Sequence, residues 1–184
     1  MALILRQYLK KNRAYKALVR QNVELAKIDL QKQAVDPAVQ NINELSPCAE
    51  KMTAADTEEN DLVESLLKYF REEKPYLHSK LSMDDLSKAL NTNRSYLSKA
   101  INDCLNKNFY ELLNEYRIKE ARLLLIDHTY DHISIEGIGQ MVGFASRSSF
   151  YNCFNKSYGI SPSYFRNSIK HDLTPHHSAT IETN

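Results

Sequence analysis

A chain of 184 residues that is 42% apolar and 26% charged can bury a real core, and it is sized for one ordinary domain plus an extension. Its formal net charge of +1 does not announce a nucleic-acid binder, so charge has to be weighed by segment. Cys48, Cys104 and Cys153 are odd in number and widely spaced, which excludes the clustering of a zinc site and points to a reduced, cytosolic compartment.

Residues 1–33 contain no glycine or proline and carry eight Lys/Arg against Glu24 and Asp29, which predicts one basic amphipathic helix. Ile4, Tyr8, Lys11, Tyr15, Leu18, Asn22, Leu25 and Asp29 recur at alternating spacings of four and three. This is a broken heptad stripe, through which two copies could form a homodimer. The opening Met-Ala-Leu-Ile-Leu is too short to span a bilayer and has no cleavage site, so neither a membrane span nor a signal peptide is encoded. Followed by the basic run from Arg6 to Arg13, the same residues also resemble the cytoplasmic end of a transmembrane helix, as in the output domain of a longer, membrane-tethered receptor. A basic solvated helix is the plainer alternative. Residues 34–61 hold Pro37, Pro47 and seven acids against Lys51, the composition of an extended acidic linker. Its acids could instead fold back onto a basic face and compete there with phosphate.

Residues 62–171 carry the helical periodicity of an all-α domain. A helix over 57–73 turns Leu62, Leu66, Leu67 and Phe70 to one side, and Pro75 follows its stop. Ser82 caps the next helix, with Asp84 and Asp85 in its first turn, where carboxylates suit the helix dipole. In the helix after that, burying Leu97 and Ile101 leaves Asn93, Arg94, Ser95, Ser98 and Lys99 outward. Asn108 caps a helix running to about Asp127, whose Leu112, Tyr116, Ala121, Leu124 and Leu125 face the elements on either side. Ser134 caps a short helix with Ile135, Ile138, Gly139 and Val142 as its apolar stripe. Gly143 stops that helix and Phe144 anchors the turn. Ser146 caps the following helix, in which Phe150, Phe154 and Tyr158 recur every four residues. Arg147, Ser148, Tyr151, Asn152, Asn155 and Lys156 are left on its other sides. Ser161 and Pro162 open a closing helix with Phe165 and Ile169 inward, and residues 172–184 read as a flexible polar tail.

The chain repeats itself about fifty residues apart. Met83, Leu86, Ser87, Leu90, Asn91 and Thr92 fall on Ile135, Ile138, Gly139, Val142, Gly143 and Phe144. After one extra residue in the second turn, Leu97, Ile101, Leu105 and Asn106 fall on Phe150, Phe154, Tyr158 and Gly159. Small residues (Ser87, Gly139) occupy the place where two helices cross closely, and residues tolerant of positive φ (Asn91, Gly143) occupy the turn. This predicts two helix-turn-helix units joined by a connecting helix. Helices that turn Arg, Ser, Asn and Lys outward present donors and acceptors suited to base edges and phosphates.

From about Leu62 to His171 the chain resembles the DNA-binding domain of the AraC/XylS family of bacterial transcription regulators. The matching pieces are SMDDLSKALNTNRSYLSKAI, EYRIKEARLLL and IEGIGQMVGFASRSSFYNCFNKSYGISPSYFR. The last is the most specific, through its Gly-Phe, Phe-x3-Phe and Gly-Ile-Ser-Pro spacing. Gly139 departs from the alanine usual there, at a helix cost of up to about 1 kcal/mol. The resemblance implies one chain that reaches two successive major grooves, about 34 Å apart, with two recognition helices. It implies double-stranded DNA as partner, with RNA polymerase as a further one, and no enzymatic activity or cofactor. Asn152 and Arg147 are the best candidates for base contacts, since Asn pairs bidentately with adenine and Arg with guanine. The short Ser95, Ser98 and Ser148 permit close approach, and the first helix leans on Arg94, Lys99 and phosphate.

Other chemistry is weak. His128 and His132 have metal-pair spacing but no third ligand nearby, and the Ser65 to Lys68 spacing of some acyl enzymes lacks its companion motifs. The competing reading is a helical protein-interaction module with weak or lost DNA binding; steep salt dependence would mark the DNA binder.

Overall fold

A computed structural model describes residues 13–28 and 54–173. Helix α1 covers residues 13–28, and the rest of the order is α2 (Ala54–Glu72), a 3₁₀ turn (Pro75–Leu77), α3 (Met83–Ala89), α4 (Arg94–Leu105) and α5 (Phe109–Ile126). A second 3₁₀ turn (His128–Tyr130), α6 (Ile135–Met141), α7 (Arg147–Tyr158) and α8 (Pro162–Leu173) complete it. Among the described residues there is no strand, so the fold is all-α.

Two cores form, one for each unit. Leu66, Phe70, Tyr76, Leu86, Leu97, Ile101, Phe109 and Leu112 make the first, and Ile118, Ala121, Leu125, Ile138, Val142, Phe150, Phe154 and Phe165 make the second. Helix α5 belongs to both. Its Leu112 and Leu113 serve the first core, and Ile118, Ala121 and Leu125 serve the second. One rigid helix therefore carries both units, as its apolar spacing predicts.

The internal repeat extends to individual hydrogen bonds. In the first turn Asn91 has φ 51° and Thr92 N–H donates to Ser87 O at 2.9 Å; in the second Gly143 has φ 92° and Phe144 N–H donates to Gly139 O at 2.9 Å. Both are helix stops in which a left-handed residue lets the following amide reach back to a free carbonyl. The caps repeat as well. Asn93 and Ser146 accept from Tyr96 N and Ser149 N at the starts of α4 and α7, while Asn106 (φ 50°) and Gly159 (φ 69°) end them. Gly139 has its own reason. A Cβ there would lie 2.9 Å from Phe150 Cδ1, so the glycine that weakens α6 admits the ring that anchors α7.

At the start of α3, Ser82 Oγ accepts from Asp85 N–H, and the Asp85 carboxylate accepts from Ser82 N–H (3.1 Å) and Oγ–H (2.6 Å). These bonds hold the Asp85 carboxyl below its usual range. A lowered folded value contributes stability that is complete above the unfolded aspartate range and is lost as pH falls through the folded value. Urea midpoints measured from about pH 5 down to about pH 2 should therefore fall less steeply for Asp85→Asn than for the parent. Identical acid limbs would contradict this assignment.

Two expected boundaries differ. Helix α2 begins at Ala54, within the segment 34–61 expected as a linker. Its early residue Glu59 is only 7% exposed, because Lys99 of α4 covers it. Helix α1 does not stand apart either: Val19 and Ala26 are buried, Tyr15 and Leu18 pack on the second core, and Asn22 Nδ2 donates to Tyr158 O at 3.4 Å. The expected dimer stripe thus has Tyr15, Leu18 and Asn22 turned inward, with Leu25 left 45% exposed. Its Ile4, Tyr8, Lys11 and Asp29, most of the linker and the tail from residue 174 lie outside the described residues. No helix among the described residues is long and apolar enough to cross a membrane.

Candidate nucleic-acid interface

In α4, Leu97, Ala100 and Ile101 are buried, and that burial turns Arg94, Ser95, Ser98 and Lys99 outward. These four line an open concave surface together with Asn102, Asp103 and Asn108. Sequence reasoning missed Asn102 and Asp103, although they continue the same helical face. In α7, Phe150 and Phe154 are buried, and Arg147, Ser148, Asn152, Asn155 and Lys156 are exposed. The two outward faces carry the expected residue types, with three refinements. Asn93 and Ser146 spend a side-chain oxygen on capping. Tyr151 is half-buried, with its hydroxyl 2.7 Å from Ser163 Oγ of α8.

Tyr151 also packs beside its neighbour Arg147. The Arg147 guanidinium lies 5.0 Å over the Tyr151 ring, so α8 holds the tyrosine and the tyrosine provides a flat surface for the arginine. A guanidinium held over a ring has N–H donors that remain able to reach a base or phosphate.

The two faces differ in their charge partners. Helix α7 contains no acidic residue. In the first unit Arg94 Nη1 lies 3.5 Å from Asp84 Oδ2 of α3, and Lys99 is bonded to Glu59 of α2 and lies 3.6 Å from Asp103. The hydrogen bond to Glu59 holds the Lys99 ammonium above its usual range, and Asp103 adds to it.

Behind the interface a buried arginine sets how the units sit. Arg117 of α5 donates from Nε to Tyr76 O at 2.7 Å and from Nη2 to His78 O at 2.9 Å, and its guanidinium lies 5.7 Å from the Phe144 ring. It thereby ties the 3₁₀ turn of the first unit to the turn of the second. Burial pushes its value down, but arginine stays charged at any physiological pH. Only a charged residue inside an otherwise apolar helix face could have flagged it in the sequence.

His128 and His132 are exposed in the connection between the units, and His128 Nδ1 lies 3.3 Å from Asp131 Oδ2. Among the described residues no group of three or more His, Cys, Asp or Glu is placed to hold a metal ion.

Two helix-turn-helix units on one connecting helix, each with a polar and basic helix outward, define a double helix-turn-helix domain of the DNA-binding class. The comparisons with known proteins agree. A Helix-turn-helix domain family matches residues 86–168. The Msm operon regulatory protein of Streptococcus mutans is 32% identical over 108 residues, covering 56% of this chain and 38% of that protein. The DNA-binding dual transcriptional regulator Rns of Escherichia coli is 33% identical over 89 residues, covering 48% of this chain and 32% of that protein. The solved C-terminal domain of AraT, a response regulator from Geobacillus stearothermophilus, is 27% identical with a TM-score of 0.50, over 65% of this chain and 92% of that one. A transcriptional regulator with an AraC-type DNA-binding domain from Chromobacterium violaceum shares the fold, at 21% identity and a TM-score of 0.52, over 65% of this chain and 98% of that one. Over residues 86–168 the chain carries a helix-turn-helix domain, and across that region it is similar to transcription regulators. It spans about a third of the length of the curated relatives named above.

Proposed function

We propose that this chain regulates transcription by reading two blocks of double-stranded DNA in successive major grooves, α4 entering one and α7 the other. The observation that carries this reading is the repeat: two outward helices with equivalent caps and stops on one shared helix. Asn152 and Arg147 read base edges from α7, while Ser148 allows close approach and Asn155 and Lys156 reach the backbone. In the first unit Arg94 reads a base, Ser95 and Ser98 approach the groove wall, and Lys99 meets phosphate. With Tyr15, Leu18 and Asn22 of α1 turned onto the second unit, the single chain is the binding unit. Contact with RNA polymerase and a cytoplasmic location follow from that role.

The test is selection of the purified chain on a random duplex library, with Asn152→Ala and Arg94→Ala in parallel at one salt concentration. The parent should select two short blocks one helical turn apart. Each variant should relax one block, at about 1–3 kcal/mol of discrimination. A library that yields no motif, with both variants behaving like the parent, would overturn the reading.

A further inference from the structure

The two outward helices differ in what already occupies their cations. Lys99 is the only lysine of α4, its side chain is 60% exposed, and it is bonded to a carboxylate from α2, forty residues away, whose own side chain is 9% exposed. A carboxylate offers an ammonium what a phosphate offers: two negative oxygens at hydrogen-bonding distance. Lys99 is therefore already engaged with a phosphate-like group that cannot diffuse away. Across the repeat, α7 has no acid of its own and Arg147 rests on a tyrosine ring.

We infer that Glu59 is an intramolecular competitor of DNA phosphate for Lys99, and that it makes the first unit a weaker electrostatic anchor than the second. This rests on the DNA-binding reading above. For Lys99 to reach a phosphate it must leave Glu59, which strands a largely buried carboxylate next to a negatively charged backbone. The phosphate attraction that would hold α4 on any duplex is thereby reduced. The base contacts of Arg94 and its neighbours then supply a larger share of the affinity for the first block, so Glu59 favours the correct sequence over an unrelated one.

The experiment compares the full chain with Glu59→Gln, Lys99→Ala and the double variant, for binding to the selected duplex across a salt series. Glutamine keeps the size and the acceptor oxygen but removes the charge, and a thermal melt confirms that each variant is folded. Glu59→Gln should bind roughly fivefold tighter at about 0.1 M salt. Its plot of log affinity against log salt should be steeper by about one unit, because Lys99 then meets phosphate without leaving behind a carboxylate that takes up a cation. In the Lys99→Ala background the Glu59→Gln change should have no effect on either quantity. A folded Glu59→Gln with unchanged or weaker affinity and an unchanged slope overturns the inference while leaving the DNA reading intact. An equal gain with and without Lys99 overturns it too, since Glu59 would then act by general repulsion. If the parent itself binds no duplex, the DNA reading fails and this inference fails with it.

Discussion

Gly143→Ala should cost the domain about 3–5 kcal/mol, a large share of the roughly 5–15 kcal/mol typical of a native domain, from backbone strain and overlap together. Gly143 has φ 92°, beyond the left-handed region that asparagine can tolerate, so any side chain there is strained. The space is also taken. A Cβ would lie 2.7 Å from Tyr76 O, 2.8 Å from Leu77 O and 2.9 Å from Arg117 Nε. Two of these are backbone atoms of the other unit, which cannot move without displacing the 3₁₀ turn. The residue that the sequence marks only as a helix stop is therefore also where the two units touch. Urea unfolding followed by far-ultraviolet circular dichroism checks this directly. A midpoint close to that of the parent would mean that the turn adjusts, and the close approach would not matter. Gly139→Ala is the comparison, because there the overlap is with a side chain and the substitution regains helix propensity.

Arg117→Met should be the second most damaging change, at about 2–4 kcal/mol, with a functional consequence that stability alone does not produce. Methionine matches the length and relieves the burial of a charge, but it abandons the carbonyls of Tyr76 and His78 and the contact with Phe144. A hydrogen bond to a charged group contributes about 1.5–3 kcal/mol, and the Tyr76 carbonyl, whose bond to Arg117 is buried, adds a desolvation cost when left without its donor. Arg117→Lys should recover little, since an ammonium cannot send two divergent donors to separate carbonyls from one plane. Because Arg117 joins the first unit to the turn of the second, the folded fraction of Arg117→Met should also lose its preference for one spacing between the two DNA blocks. Binding to duplexes with the blocks moved one base pair closer or further apart measures this. A variant as stable as the parent, with the same spacing preference, would show that α5 alone holds the units in place.

Much of the fold was legible because it rests on local rules. The four-residue recurrence of Phe150, Phe154 and Tyr158 sets the inner face of α7, and Leu97 and Ile101 do the same for α4. Ser82, Asn93, Asn108, Ser134 and Ser146 each cap the helix they precede, since a cap is a contact within a few residues. The outward site residues followed by subtraction from the buried ones. What their side chains then do was less legible: Tyr151 lies against Arg147 and bonds to Ser163, and nothing in the spacing of Tyr151 shows either contact.

The sequence by itself thus determined the number of units, their internal geometry and the faces they expose, because helical period, caps and stops are set by neighbours in the chain. Tertiary structure alone decided which element covers which. Periodicity shows that α1 has an apolar side but not that Val19 and Asn22 lie against the second unit. Charge counts show an acidic stretch before the domain but not that Glu59 meets Lys99 across the first. Arg117, a cation among apolar residues, is stable where it is only because the carbonyls of Tyr76 and His78 converge on it. Contacts between distant segments depend on how whole helices are rotated and packed, and that rotation is fixed by the summed fit of both cores rather than by any local run of residues.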